Sequence, residues 1–156
     1  MIALGIDPGT RRIGYGIVEK KKDNTLRFVA AGILKIESSD DTVALAEAKK
    51  GIAGIIKKYK PDIMGIEKLF FAKNQRTAMA VSQARGVLML AAHETGLPIK
   101  EYTPNEIKLG VTGYGFADKK AVLKMVRLLL GKQDLKVIDD ASDALAGAIM
   151  AVNERY

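Results

Sequence analysis

The chain opens on Ile2-Ala3-Leu4-Gly5-Ile6-Asp7-Pro8-Gly9-Thr10-Arg11-Arg12-Ile13-Gly14-Tyr15-Gly16-Ile17-Val18. Ile2–Ile6 is a short apolar run. Asp7-Pro8-Gly9-Thr10 ends it as a turn, since Pro fixes its own φ and Gly accepts either sign of φ. Ile13–Val18 then alternates around Gly14 and Gly16 and reads as a second strand. Lys20-Lys21-Lys22-Asp23-Asn24 reads as a hairpin loop, and Leu26–Ile36, rich in β-formers and Ala, as a third strand. Three successive strands joined by short turns predict an antiparallel meander.

Downstream the hydrophobic period changes. Within Asp40–Lys60, Ile52, Ile55, Ile56 and Tyr59 fall at i, i+3, i+4 and i+7 with lysines between them, the spacing of an amphipathic helix. Ser39, Asp40 or Asp41 is placed to cap it, and Pro61 to break it. Ile63–Ile66 is a short strand running into Glu67. Asn74–Thr95 is a long helix rich in small residues, closed by Gly96 and Pro98, and Ile99–Tyr102 is a strand. Thr103-Pro104-Asn105-Glu106 opens a helix with Pro at its first position and Glu at its third. Ala117–Leu130 and Ala141–Val152 read as further helices. The order β-β-β-α-β-α-β-α-α-α predicts an α/β fold: one mixed five-stranded sheet, an antiparallel meander plus parallel strands, with helices on both faces. At 156 residues the expectation is a single domain over 1–156.

Composition narrows the function. The chain is 48% apolar and 28% charged, with both signs mixed, as in an ordinary globular domain. It has no Cys and one His, which excludes a disulfide framework, Cys-ligated zinc and multi-His zinc. The net charge of +7 favours a polyanionic partner. The strongly apolar stretch Ala144–Val152 is far short of the ~20 residues of a spanning helix. Met1–Ile6 lacks a basic lead and meets Asp7, so neither a signal peptide nor a membrane partner is expected, and the expected location is the cytoplasm.

Open α/β sheets build their sites at strand ends. Asp7 ends the first strand and Glu67 the fourth, while Asp140 and Asp143 share a face of the last helix at i, i+3 spacing. Singly, each has a plain reading: a turn residue, a solvated strand end, or acids complementing a helix dipole. Jointly they form an oxygen-only set suited to Mg²⁺ or Mn²⁺. Two such ions could activate a water and stabilise a leaving oxygen, while lysines hold the phosphate chain that the acids repel.

Four blocks of sequence match a known pattern. They are Ile6-Asp7-Pro8-Gly9-Thr10-Arg11-Arg12-Ile13-Gly14-Tyr15-Gly16, Glu67-Lys68-Leu69-Phe70-Phe71-Ala72-Lys73-Asn74, Ser82-Gln83-Ala84-Arg85-Gly86-Val87 and Asp140-Ala141-Ser142-Asp143-Ala144-Leu145-Ala146. In this order, over essentially the whole chain, they resemble the RuvC family of bacterial Holliday junction resolvases. The resemblance implies an RNase H-like fold and a homodimer that nicks two strands of like polarity at a four-way DNA junction, in recombination and DNA repair. It implies Asp7, Glu67, Asp140 and Asp143 as catalytic, metal-binding carboxylates, with two Mg²⁺ per site and Mn²⁺ as a substitute. It further implies Lys108 and Lys119 as catalytic lysines near the scissile phosphate, and Phe70 as an aromatic that stacks on junction bases. Lys73, Arg76, Lys108, Lys119 and Lys120 are the expected DNA-backbone contacts, within a basic stretch that also holds Lys124, Arg127, Lys132 and Lys136 against Asp134. Some family members carry His at the position of Asp140, whereas here the one His93 lies in the long helix and is expected to be non-catalytic. Phe71 is expected to pack. Ala78, Ala80, Val81, Ala84, Val87, Leu88 and Ala91 could pack on the sheet, and the resemblance favours a dimer contact. The resemblance also implies partnership with the RuvA–RuvB branch-migration complex.

Three other readings share parts of this pattern. A YqgF-like RNase H-fold nuclease acting on ribosomal RNA precursors has a similar opening but is not expected to carry the Glu67-x-x-Phe70 and Gln83-Ala84-Arg85-Gly86 blocks. An actin- or Hsp70-like ATP-binding fold needs two domains. A catalytically inactive junction-binding protein has no need of four acids, and metal-dependent cleavage separates it from an enzyme.

Overall fold

β1 (Ile2–Asp7) is the central strand, and the sheet is built outward from it. The computed structural model describes residues 1–69 and 75–154, the side chains of residues 75 and 76 excepted. β2 (Arg12–Lys20) pairs antiparallel with β1, and β3 (Leu26–Lys35) antiparallel with β2, which gives the expected meander. β4 (Ile63–Glu67) lies parallel to β1 on its other side, and β5 (Ile99–Tyr102) parallel to β4, so the strand order is β3-β2-β1-β4-β5.

Helices cover both faces. α1 (Asp41–Tyr59) and α2 (Gln75–Glu94) shield one face over Leu4, Ile6, Ile17, Met64 and Ile66. α3 (Pro104–Thr112), α4 (Lys119–Leu129) and α5 (Asp139–Val152) shield the other over Ala3, Val18 and Ile63. Local chemistry sets most helix starts. Asp40 caps α1 by accepting from the Val43 amide at 2.9 Å. Thr103 and Glu106 form a reciprocal capping box on α3, with Pro104 at its start. α4 begins at Lys119 rather than Ala117, because Asp118 is its cap and accepts from the Ala121 amide. α5 begins at Asp139 rather than Ala141, and no side chain caps it, so Asp139 and Asp140 fall in its first turn.

α5 is buried almost throughout, between the sheet and the α3–α4 pair. It reaches β1 and β2 closely because glycines lie beneath it. A Cβ on Gly5 would stand 1.8 Å from the Ala144 carbonyl oxygen, and one on Gly14 would stand 2.1 Å from that of Asp140. The missing side chains set how close the acids of α5 come to the end of β1.

Candidate active site

Parallel pairing puts Ile6 beside Ile66, so the next residues, Asp7 and Glu67, emerge side by side at the carboxyl edge of β1 and β4. On its other side Asp7 pairs with Gly14, over which Asp140 lies. One helical turn places Asp143 on the same face of α5 as Asp140. Asp7, Glu67, Asp140 and Asp143 thus line one cleft of about 390 Å³. Lys108 of α3 and Lys119 of α4 reach into the same cleft, and Pro104, Ile107, Val122 and Ala146 form its apolar wall.

The electrostatics follow from this crowding. Burial, reinforced by the charges of Asp143, Glu67 and Asp140, pushes Asp7 from 3.8 up to about 7, against the opposing pull of Lys119. Glu67 is raised by burial and by Asp143, opposed by Lys108 and Lys119. Lys119 is held above its ordinary value chiefly by Asp143, which it meets at 3.3 Å.

The two acids of α5 are engaged by cations of the chain itself. Asp140 Oδ2 accepts from Arg12 Nε at 3.2 Å, and Asp143 Oδ2 from Lys119 Nζ at 3.3 Å. Among the described residues, no three Asp, Glu or His side chains are gathered into a finished ion cage. Asp140 and Asp143 are each paired with a cation of the chain, so the four acids do not close on one point. The donor set nevertheless fits a hard divalent ion, since every candidate ligand is a carboxylate. Asp7 is raised first by burial and then by the charges of Asp143, Glu67 and Asp140, and a bound cation would offset both.

This imposes a pH dependence on the protein without added metal. A folded-state pKa above the unfolded 3.8 means that the folded chain holds the proton of Asp7 more tightly. The contribution of this carboxyl to stability is therefore full below the unfolded value and is lost as the pH rises through about 7. Glu67 acts in the same direction. In EDTA, the melting temperature is expected to fall between pH 5.5 and pH 8, with added Mg²⁺ reversing the fall. A melting temperature that rises over this interval would contradict the buried-acid assignment.

Two residues that sequence reasoning did not single out support the site. Arg12 pairs with Asp140 as above. Arg85 donates to the Glu67 carbonyl oxygen at 2.9 Å and pairs with Glu101, bracing the end of β4. Arg85 lies in the Gln83-Ala84-Arg85-Gly86 block, but its target is 18 residues away and no local pattern points to it.

The remaining residues singled out from the sequence are outside the cleft lining or outside the described residues. Lys120 is exposed on α4 outside the cleft lining, and His93 is exposed in the last turn of α2. Phe70, Phe71 and Lys73 lie outside the described residues, as does the side chain of Arg76. Arg127 is spent on the fold, donating to the Leu135 carbonyl at 3.0 Å. Of the small residues of α2, Ala84, Leu88 and Ala91 are buried within the chain and give no contact surface. No helix among the described residues is long and apolar enough to cross a membrane.

Comparison with known proteins agrees with this architecture. The family profile described as "Crossover junction endodeoxyribonuclease RuvC" matches residues 3–151. The crossover junction endodeoxyribonuclease RuvC of Moorella thermoacetica is 47% identical over 149 residues, covering 96% of this chain and 89% of the relative. That of Natranaerobius thermophilus is 46% identical over 147 residues, covering 94% and 91%. Among solved structures, Thermus thermophilus RuvC in complex with a Holliday junction substrate superposes with a TM-score of 0.88 at 29% identity, over 96% of this chain and 91% of that one. The yeast mitochondrial Holliday junction resolvase Ydc2, at 17% identity and a TM-score of 0.69, shares the fold, covering 94% of this chain and 75% of its own. The mixed sheet with helices on both faces is the RNase H-like fold of these resolvases, and the sequence match continues across both strand-end acids and the acidic start of α5. The chain belongs to the RuvC family of crossover junction endodeoxyribonucleases.

Proposed function

We propose that the chain resolves four-way DNA junctions by hydrolysing one phosphodiester in each of two strands of like polarity, leaving ligatable 5′-phosphate and 3′-hydroxyl ends. One observation carries this reading: four carboxylates from β1, β4 and α5 share a cleft with two lysines. Acids alone would repel DNA, and lysines alone would bind it without cleaving it.

Asp7, Glu67, Asp140 and Asp143 would hold divalent metal, two Mg²⁺ per site with Mn²⁺ as a substitute. When bound, the metal supplies an activated water and charge neutralisation at the leaving oxygen. The protein's own part is positional and electrostatic. Asp7 and Glu67 are fixed by sheet pairing, so their spacing does not depend on loop order. Lys108 and Lys119 face the phosphate, and Lys119 can exchange its bond to Asp143 for a phosphate oxygen as charge builds there. Ile107 and Val122 keep one wall of the cleft dry, which strengthens those interactions. Lys120, Lys73 and Arg76 would track the backbone beyond the cleft.

Two active sites are needed for paired nicks, so a C₂ homodimer is part of the proposal. Met79 and Leu90, exposed on α2 and separated by three helical turns, are apolar residues that such a contact would cover. Residues 1–156 would form one nuclease domain acting in the cytoplasm beside the RuvA–RuvB branch-migration complex.

The test is a synthetic four-way junction labelled on each strand in turn, incubated with Mg²⁺ and with EDTA. Paired symmetric nicks that require Mg²⁺ are expected. Tight binding without cleavage in any divalent metal would identify a junction-binding protein instead, and cleavage of structured RNA in preference to the junction would favour the RNA-processing alternative. On the same substrate, Phe70→Ala is expected to slow resolution about tenfold while leaving plain-duplex affinity nearly unchanged, as a lost base stack would. Equal losses on junction and duplex would remove Phe70 from this role.

A further inference from the structure

The turn between α3 and α4 carries two aromatics that the catalytic reading does not use. Tyr114 is 61% exposed and Phe116 is 75% exposed. Their ring centroids are 5.9 Å apart at an interplanar angle of 59°. They border a shallow groove of about 510 Å³ whose floor is formed by Ala117, Ala121 and Met125.

The turn that presents them is held by its own backbone bonds. Gly113 ends α3 in the left-handed conformation at φ 79°, which a side chain would strain. The Tyr114 amide donates to Thr112 Oγ1 at 3.1 Å, and the Ala117 amide donates to the Tyr114 carbonyl at 3.1 Å. α4 then starts at once on the Asp118 cap. The rings are thus carried by a fixed loop, and binding to them incurs little ordering cost.

Position and charge select the occupant. α4 presents two adjacent stripes: Lys119 and Val122 line the catalytic cleft, while Ala121 and Met125 line the aromatic groove. Lys119, Lys120 and Lys124 are exposed on this helix, and Lys124 borders the groove itself. Asp118 also lines the groove, where it caps α4 by accepting from the Ala121 amide. The three exposed lysines of α4 outnumber Asp118 beside the flat rings, which suits a strand of nucleic acid, whose phosphates meet the lysines while its bases stack on the aromatics.

We propose that the Tyr114–Phe116 pair is a base-stacking platform that holds one or two unpaired nucleobases of the DNA strand next to the catalytic cleft. The proposal rests on the junction-cleavage reading and adds a binding site to it. Stacking tolerates any base, so the platform would hold an opened strand without imposing a sequence.

The test measures equilibrium binding, in EDTA, to four-way junctions carrying a single abasic site at successive positions around the scissile phosphate. Phe116→Ala and Tyr114→Ala, at exposed positions, are expected to keep the wild-type melting temperature and to weaken binding to the intact junction by about tenfold. Phe116→Leu, which keeps apolar bulk but not the ring, is expected to weaken it as well. An abasic site at one or two positions should weaken the wild type by a similar factor and leave the Phe116→Ala variant unaffected, because the partner of the missing ring is already gone. Losses that add independently at every position, or no loss in any variant, would overturn the platform. A change in oligomeric state with unchanged DNA affinity would assign the patch to self-association instead. The binding readout does not require cleavage, so failure of wild-type cleavage would overturn the proposed function without deciding the platform's fate.

Discussion

Asp7→Asn is expected to abolish junction cleavage, with a rate loss of at least about a thousandfold, while junction affinity stays the same or rises. Asp7 stands at the centre of the acids: Asp143, Glu67 and Asp140 all act on its carboxyl. Removing its charge would take away one of the four carboxylates that would hold a metal ion in the cleft. Metal activation contributes several kcal/mol to such a step, and each ~1.4 kcal/mol is a factor of ten in rate. Binding moves the other way because the substitution also removes one negative charge facing the phosphate chain. Stability should rise as well. The ionised carboxyl is unfavourable in its buried site, so above pH 7 in EDTA the variant should melt a few degrees higher than the wild type, and the gap should narrow as the pH falls from 7 toward the unfolded value of 3.8. Cleavage by Asp7→Asn at the wild-type rate would remove Asp7 from the metal site. Loss of binding together with cleavage would indicate damage beyond the carboxylate.

The same residue shows what local sequence could and could not say. That Asp7 ends a strand follows from Pro8 and Gly9, which stop the apolar run wherever the rest of the chain lies. The capping box of Thr103 and Glu106, the break at Pro61 and the meander were legible for the same reason, being determined within a few residues. The four acids could be named jointly but not singly: each has an ordinary structural use at a turn, a strand end or a helix start, whereas acids from three separate segments make one oxygen-only set, and the blocks that resemble the RuvC family run through all of them. Their partners were not legible. Arg12 reaches Asp140 across 128 positions of the chain, and Arg85 reaches the Glu67 carbonyl from the middle of a helix. Neither shows a periodicity or a cap that would distinguish it from a solvated arginine. The sequence places the start of α5 at Ala141, two residues late, because no side chain caps the helix. Ala141 looked like the first helical residue, although Asp139 and Asp140 already occupy the first turn. The small residues of α2 were ambiguous for a physical reason, since alanine serves close packing on the sheet and between helices equally well.

Glycine was the least transparent residue of all, and it supports the second large prediction. In the sequence, Gly14 is a small residue in a strand and could mark a bulge or nothing. In the fold it is the floor under Asp140. Gly14→Ala would place a Cβ 2.1 Å from the Asp140 carbonyl oxygen and 2.5 Å from its carbonyl carbon. Both are backbone atoms, so no rotamer change relieves the clash. The helix must lift, and α5 is buried along most of its length beneath α3 and α4. Overpacking of this kind costs ~1–3 kcal/mol, or a fall of roughly 3–10 °C in melting temperature at this chain length. The lift occurs at Asp140, one of the four acids proposed to hold metal. A displacement of ~1 Å there lowers the rate by about a hundredfold, so cleavage should fall well beyond what the remaining folded fraction explains. Gly54→Ala provides the contrast. Gly54 lies in α1 with nothing within 4 Å of an added Cβ, so alanine there should be neutral or stabilise the helix by up to ~1 kcal/mol, with cleavage unchanged. If Gly14→Ala keeps both the melting temperature and the cleavage rate of the wild type, the spacing between α5 and the sheet does not set the geometry of the acids. If it loses rate while Gly54→Ala does not, the catalytic arrangement depends on an absent side chain beneath a carboxylate, a requirement on the sequence as strict as that for the carboxylate itself.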